Sequence, residues 1–257
     1  MRIPIKISFL LLFFLILNCK EDKSNTLTIA TASNMQYAMK ELTRSFKEQT
    51  GTECVIIVGS SGKLTAQIME KAPYDVFVSA DIKYPNELYK KGFAESKPSI
   101  YALGKLVLWS TTHKNPNLDS LTNNSIKNIA IANPKTAPYG LAAVEVLKEM
   151  KLYGKVEDKL VYGESISQTN QFILSGAADM GFTAKSVVLS PNLKEKGYWV
   201  PINISYEPIS QGIVLLKNSS LKKESKQFYD FLFSKKAQET LEKYGYSVPV
   251  DTKETSK

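Results

Sequence analysis

The sequence has little of the chemistry on which most enzymes and metal sites depend. It contains one His and two Cys in 257 residues, too few for the His- and Cys-rich sets that hold zinc. A Ser nucleophile would need His113 as its base, and no Gly-x-Ser-x-Gly elbow is present. His113 itself sits in Thr111-Thr112-His113-Lys114-Asn115-Pro116, which reads as a surface loop. Gly-x-Gly-x-x-Gly and Gly-Lys-Ser/Thr are both missing, so the usual dinucleotide and nucleoside-triphosphate cradles are not encoded. Asp75 and Asp81 flank one apolar run and would lie at opposite ends of a strand, too far apart to act as a carboxylate pair. Asp81, followed by Ile82 and Tyr84-Pro85, reads as a helix cap or a structural residue beside a hinge. Internal repeats and low-complexity segments are lacking. The formal charge is +8, yet the Lys residues are scattered, with no run of five and no interleaved aromatics. Nucleic-acid binding is therefore not indicated.

No apolar run is long enough to cross a membrane. The longest near the N-terminus, Ile7–Leu17, has eleven residues, whereas a spanning helix needs roughly 20. It follows Arg2 and Lys6 and is followed by Asn18-Cys19. A cationic start and a short apolar core describe a secretory signal peptide, residues 1–18. Cys19 is then the expected lipidation site, and residues 19–26 a polar tether. An unmodified exposed thiol on an exported protein would be reactive, so acylation accounts for Cys19 better than a free side chain. Losing Arg2 and Lys6 lowers the charge from +8 to +6. Cys54, just before Val55–Val58, reads as a buried structural thiol, and no disulfide framework is present. The polar tail Thr252–Lys257 has nothing to bury.

The rest is ordinary globular sequence, 43% hydrophobic and 23% charged. Its length suits one large domain or two of about 100–130 residues. Short apolar runs alternate with helical patterns. Leu27–Thr31, Cys54–Val58 and Asp75–Ala80 read as strands, separated by helices over Asn34–Phe46 and Leu64–Lys71. That β-α-β-α-β order implies a parallel sheet with right-handed crossovers. A second unit follows. Its strands are Lys105–Ser110, Asn128–Ala132, Leu160–Tyr162, Met180–Thr183, Tyr198–Ile202 and Ile213–Leu216. Its helices are Leu141–Lys151 and Ser167–Leu174. Two further helices, Lys222–Phe233 and Lys236–Tyr244, close the chain. No Pro- or Gly-rich linker separates two halves, as expected if strands cross between them.

Four strand-to-helix junctions share a chemistry: Ala30-Thr31-Ala32-Ser33-Asn34, Val58-Gly59-Ser60-Ser61-Gly62, Asn133 through Gly140, and Gly163-Glu164-Ser165-Ile166-Ser167. A helix start exposes unpaired N–H groups and the positive end of its dipole. Hydroxyl or amide side chains add donors, so several such starts converging would bind a small anion without a charged side chain. In open α/β sheets these loops lie where ligands usually bind. Each junction taken alone is read equally well as an N-cap or a turn. Four together support a small anion and specify none.

The ordered set of segments resembles the periplasmic molybdate-binding proteins of bacterial ABC importers. The matching stretches are Ala30–Met35, Gly59–Leu64, Ala72–Asp81, Asn133-Pro134 with Ala137–Gly140, and Gly181–Ala184. The resemblance runs from about Leu27 to Tyr246. It implies an α/β, two-lobed type II periplasmic binding protein fold, each lobe a mostly parallel sheet flanked by helices, with the ligand in the cleft. Lobe one would comprise residues 27–108 plus 210–257 and lobe two residues 109–209, with crossings near Leu106–Trp109 and Gly212–Leu216. It further implies a monomeric, non-enzymatic carrier of molybdate or tungstate that needs no cofactor. Its partner would be an ABC permease in the inner membrane. The implied ligand contacts are Ser33, Asn34, Ser61, Tyr139 and Ile166. Some members place a ligand-binding Tyr where this chain has Ala184; others, with Pro-Tyr-Gly at the third junction, do not. This chain is similar to the second kind, which makes Tyr139 the expected contact. Molybdate carries no proton at neutral pH and suits a site made of donors only, whereas phosphate usually keeps a proton that needs an acceptor. Sulfate is also unprotonated, so charge alone does not separate it. No acid falls at the matched contact positions, and Glu164 is nearby. Sulfate or phosphate binding, an enzyme on the same fold, and a surface lipoprotein with an adhesion role are the competing readings.

Overall fold

A computed structural model describes residues 26–248. The expected signal peptide, Cys19, most of the tether and the tail from Thr252 lie outside the described residues. The strands form two five-stranded sheets. In the first lobe the chain runs β1 (Thr26–Ala32), a 3-10 turn (Ser33–Met35), α1 (Gln36–Thr50), β2 (Glu53–Gly59), α2 (Ser61–Met69), β3 (Val76–Ser79), α3 (Lys83–Lys90) and β4 (Ser99–Gly104). The second contains β5 (Leu106–Ser110), β6 (Ile129–Ala132), α4 (Pro138–Glu149), the short α5 (Tyr153–Val156), β7 (Leu160–Gly163), α6 (Ile166–Leu174), β8 (Met180–Ala184), α7 (Lys185–Val188) and β9 (Tyr198–Pro201). The chain then returns as β10 (Ile209–Leu215), α8 (Lys222–Leu232) and α9 (Lys235–Lys243).

The sheet orders are β2-β1-β3-β10-β4 and β7-β6-β8-β5-β9. Strand directions match as well: parallel at β1/β2 and β1/β3 and at β6/β7 and β6/β8, antiparallel around β10 and β5. The lobes are thus built on one plan, and each contributes its fourth-position strand after the chain has crossed over. The first crossing is Lys105, between β4 and β5, rather than Leu106–Trp109. The second is the segment 202–208 rather than Gly212–Leu216, because β10 lies wholly in the first sheet, paired to β3 and β4.

Strand periodicity sorts the side chains of the first sheet. Val76 and Val78 on β3 and Ile213 and Leu215 on β10 face one way, into a core with Met39, Leu42 and Phe46 of α1 and Phe228 and Leu232 of α8. Phe77 and Val214 face the other way, toward Leu64 and Ile68 of α2 and Leu88 of α3. The Phe46 and Phe228 rings meet edge to face at 5.3 Å between centroids. The second sheet is packed around Leu108, Ile129, Ile131, Val146, Leu147, Phe182 and Val187. Ala32, Ala80 and Ile209 of the first lobe belong to that same cluster, so the lobes touch along the cleft. Cys54 lies on the edge strand β2 and is half-buried rather than buried: it packs against the core beside α1 and α8, but its strand has no neighbour on the outer edge. Burial pushes its thiol up to about 12, which leaves it protonated and unreactive. No helix of the described residues is long and apolar enough to cross a membrane.

Candidate functional site

The same plan in both lobes places equivalent helix starts face to face. The turn before α1 and the start of α2 come from the first lobe; the starts of α4 and α6 come from the second. All four border one small cavity, lined by Ala32, Ser33, Asn34, Ser60, Ser61, Ala80, Ala137, Pro138, Tyr139 and Ile166. Every expected contact residue is there, drawn from positions more than 130 residues apart in sequence. The cavity is small, closer to the room taken by a water-sized group than to that of a sugar or peptide.

None of the ten lining residues carries a charge. Glu164, the acid expected nearby, does not line the cavity: its Oε1 lies 2.6 Å from Lys63 Nζ in an exposed ion pair that spans the cleft. His113 lies in a loop away from the cavity, where its N–H donates to Ser110 Oγ at 3.0 Å. Asp75 and Asp81 are structural. Asp75 accepts from the Thr28 N–H at 2.8 Å and from Ser219 Oγ at 2.6 Å. Asp81 accepts from Ser79 Oγ and from the Tyr84 N–H, as a residue before a helix would. Burial raises its carboxyl above the usual range against those bonds. Among the described residues no group of three or more His, Cys, Asp or Glu could hold a metal ion.

The first-lobe half of the site is wired together behind the cavity. Asn34 Nδ2 donates to Gln211 Oε1 at 2.8 Å, Gln211 Nε2 donates to the Ala80 carbonyl at 3.2 Å, and the Ala80 N–H donates to Ser61 Oγ at 3.0 Å. Ser61 Oγ thereby accepts from the protein and keeps its own proton free to donate. Ser33 Oγ donates to the Gly59 carbonyl at 2.9 Å, so it must turn away from that partner to reach a ligand. The Asn34 carbonyl accepts from Ser186 Oγ at 2.8 Å and from the Tyr246 hydroxyl at 3.1 Å. That pair fixes the Asn34 peptide from both lobes at once. In the second lobe Tyr139 follows Pro138, which opens α4, and Ile166 opens α6 after the cap Ser165. First-turn N–H groups have no acceptor in their own helix, so both amides are available.

Tyr139 is buried, with its hydroxyl beside the Asn34 side chain. The ring reaches back to the crossing, where a Cβ on Gly104 would overlap the hydroxyl. Gly at 104 is what makes room for it. Burial, with Tyr246, Tyr101 and Tyr206 nearby, pushes the phenol well above its usual range and keeps it a proton donor. Sequence reasoning missed Ser60, Gln211 and Tyr246. Ser60 was hidden by its neighbour Ser61. Gln211 is an isolated polar residue on a strand, and a fully buried amide there is the signal that could have found it.

Two lobes of one plan, joined by two crossings around a small neutral cavity, define the architecture of a periplasmic binding protein. The model of the bacterial extracellular solute-binding protein family matches residues 27–247, and the chain belongs to that family. The molybdate-binding protein ModA of Rhodobacter capsulatus is 39% identical over 220 residues, 84% of this chain and 86% of that protein. The ModA of Azotobacter vinelandii is 38% identical, covering 86% and 89%. The solved periplasmic molybdate-binding protein of Azotobacter vinelandii superposes with a TM-score of 0.82, covering 87% of this chain and all of that one. The sulfate-binding protein SubI of Mycobacterium tuberculosis shares the fold, with a TM-score of 0.78 at 12% identity.

Proposed function

We propose that the protein captures molybdate in the cleft between its lobes and delivers it to an ABC permease. The observation that carries this reading is the convergence of four helix starts on a cavity with no charged side chain. Backbone N–H groups and hydroxyls supply donors only, which suits a fully deprotonated oxyanion. A hydrogen phosphate would need an acceptor for its proton; no acid lines the cavity, and Glu164 is held by Lys63 outside it. The choice of molybdate over sulfate rests on the kinship with the ModA proteins.

In this reading Ser61 donates its hydroxyl, Asn34, Ser61, Tyr139 and Ile166 donate backbone N–H groups, and Ser33 turns to add a second hydroxyl. The moving bodies are residues 27–104 plus 209–248 and residues 106–201, hinged at 105 and 202–208. Tungstate, close to molybdate in size, is accepted by the same donors. The protein is a monomeric carrier without catalytic activity, exported and anchored through Cys19.

Calorimetry tests this directly. Molybdate and tungstate are expected to bind with Kd below about 1 µM, with sulfate and phosphate far weaker. Heat with sulfate and none with molybdate or tungstate would refute the assignment. Mass analysis of the exported protein checks the anchor, which requires a diacylglycerol-sized increment on Cys19.

A further inference from the structure

Ser60 has the backbone of a helix N-cap, with φ −72° and ψ 149° directly before α2, yet its side chain makes no capping bond. An N-cap Ser ordinarily accepts from an amide two or three residues on. Two other serines in this chain do so. Ser165, which occupies the equivalent place in the second lobe, accepts from the Gln168 N–H at 3.4 Å. Ser234, before α9, accepts from the Ala237 N–H at 3.3 Å. Ser60 is only 4% exposed, and its Oγ has no hydrogen-bond partner among the described residues. The residue also lines the cavity, beside Ala32, Ala80, Ala137 and Pro138, whose side chains accept nothing.

A buried hydroxyl without a partner is unfavourable, and native structures rarely tolerate one unless another group satisfies it. A hydroxyl needs an acceptor for its proton, and the adjacent Ser61 Oγ, which accepts from the Ala80 N–H and also keeps its proton, lines the same cavity. We propose that Ser60 is a further anion-binding residue, whose hydroxyl donates to the oxyanion alongside Ser61. The proposal rests on the oxyanion reading above. It gives the start of α2 two adjacent hydroxyls for the ligand, where the two at the start of α6 are already engaged, Ser165 in its own cap and Ser167 with Gln36.

The test compares Ser60→Ala, Ser165→Ala and wild type in two measurements, melting temperature without ligand and molybdate affinity by calorimetry. Ser60→Ala is expected to melt at or above the wild-type temperature, because it deletes an unsatisfied group, while binding molybdate about 10- to 150-fold more weakly, the range for a hydrogen bond to a charged group. Ser165→Ala is expected to melt about 2–4 °C lower, having lost a cap. Unchanged molybdate affinity in Ser60→Ala would overturn the assignment, as would a melting temperature lowered as in Ser165→Ala. A wild type that binds no oxyanion overturns the functional reading itself, an outcome distinct from either.

Discussion

Gly62→Ala perturbs the closed cleft without removing any ligand contact. Gly62 lies in the first turn of α2, and its N–H donates across the cleft to the Thr136 carbonyl at 2.9 Å. Beside it, the Tyr84 hydroxyl donates to the Lys135 carbonyl at 3.0 Å. A Cβ at 62 would sit 2.7 Å from the Tyr84 hydroxyl and 3.0 Å from the Thr136 Cα. The tyrosine can swing aside, but the Thr136 backbone moves only with its lobe. The methyl therefore acts as a wedge in the closed form and meets nothing across the cleft once the lobes part. Overpacking of this kind costs about 1–3 kcal/mol. Because only the closed form is penalised, the equilibrium shifts by that amount. Molybdate should bind about 5- to 150-fold more weakly, chiefly through faster dissociation, which stopped-flow or calorimetric measurements resolve. Melting of the ligand-free protein should change less than melting of the saturated protein. Wild-type affinity, with the same ligand-induced compaction in small-angle scattering, would refute the reasoning.

Ser61→Ala removes a proposed donor and strips the Ala80 N–H of its acceptor. It should weaken molybdate binding by about 1.5–3 kcal/mol and lower the ligand-free melting temperature, by about 2–4 °C per kcal/mol lost. Ser33→Ala should weaken binding over the same range, about 1.5–3 kcal/mol, as read by calorimetry. Tyr246→Phe deletes the hydroxyl that bonds Asn34 and Ser186 across the lobes and should reduce both affinity and stability by about 1–3 kcal/mol. Affinity should be flat between about pH 7 and 9. No charged group lines the cavity, and the raised Tyr139 pKa keeps its phenol protonated throughout. A slope in that window would indicate a titrating contact.

The runs that became β1, β2 and β3 were legible because short apolar segments punctuated by Gly, Ser and Asp have little choice but to pair. The two helices that close the chain were legible from their apolar stripes. The strand β4 was not: Lys105 alone separates it from β5, and the sequence reading took only the second of the two adjoining apolar segments, Lys105–Ser110, as a strand. The short α3 was hidden by Pro85, which reads as a breaker but is tolerated in a first turn. The kinship of the two lobes was invisible because it lies in strand order and direction, which different residues satisfy equally well. At the site, the junction chemistry could be read from small and hydroxyl residues before helices. Which hydroxyl caps a helix and which faces the cavity could not, since Ser60 and Ser165 look alike in sequence and differ only in what surrounds them.

The duplicated plan splits the donors across the hinge: two helix starts belong to each side. Neither side alone can surround an ion, so tight retention is a property of the closed pair and of no single surface. Anything that prises the sides apart strips away part of the coordination without touching the cargo. Release then needs no competitor and no chemical change at the site, only leverage applied at a distance.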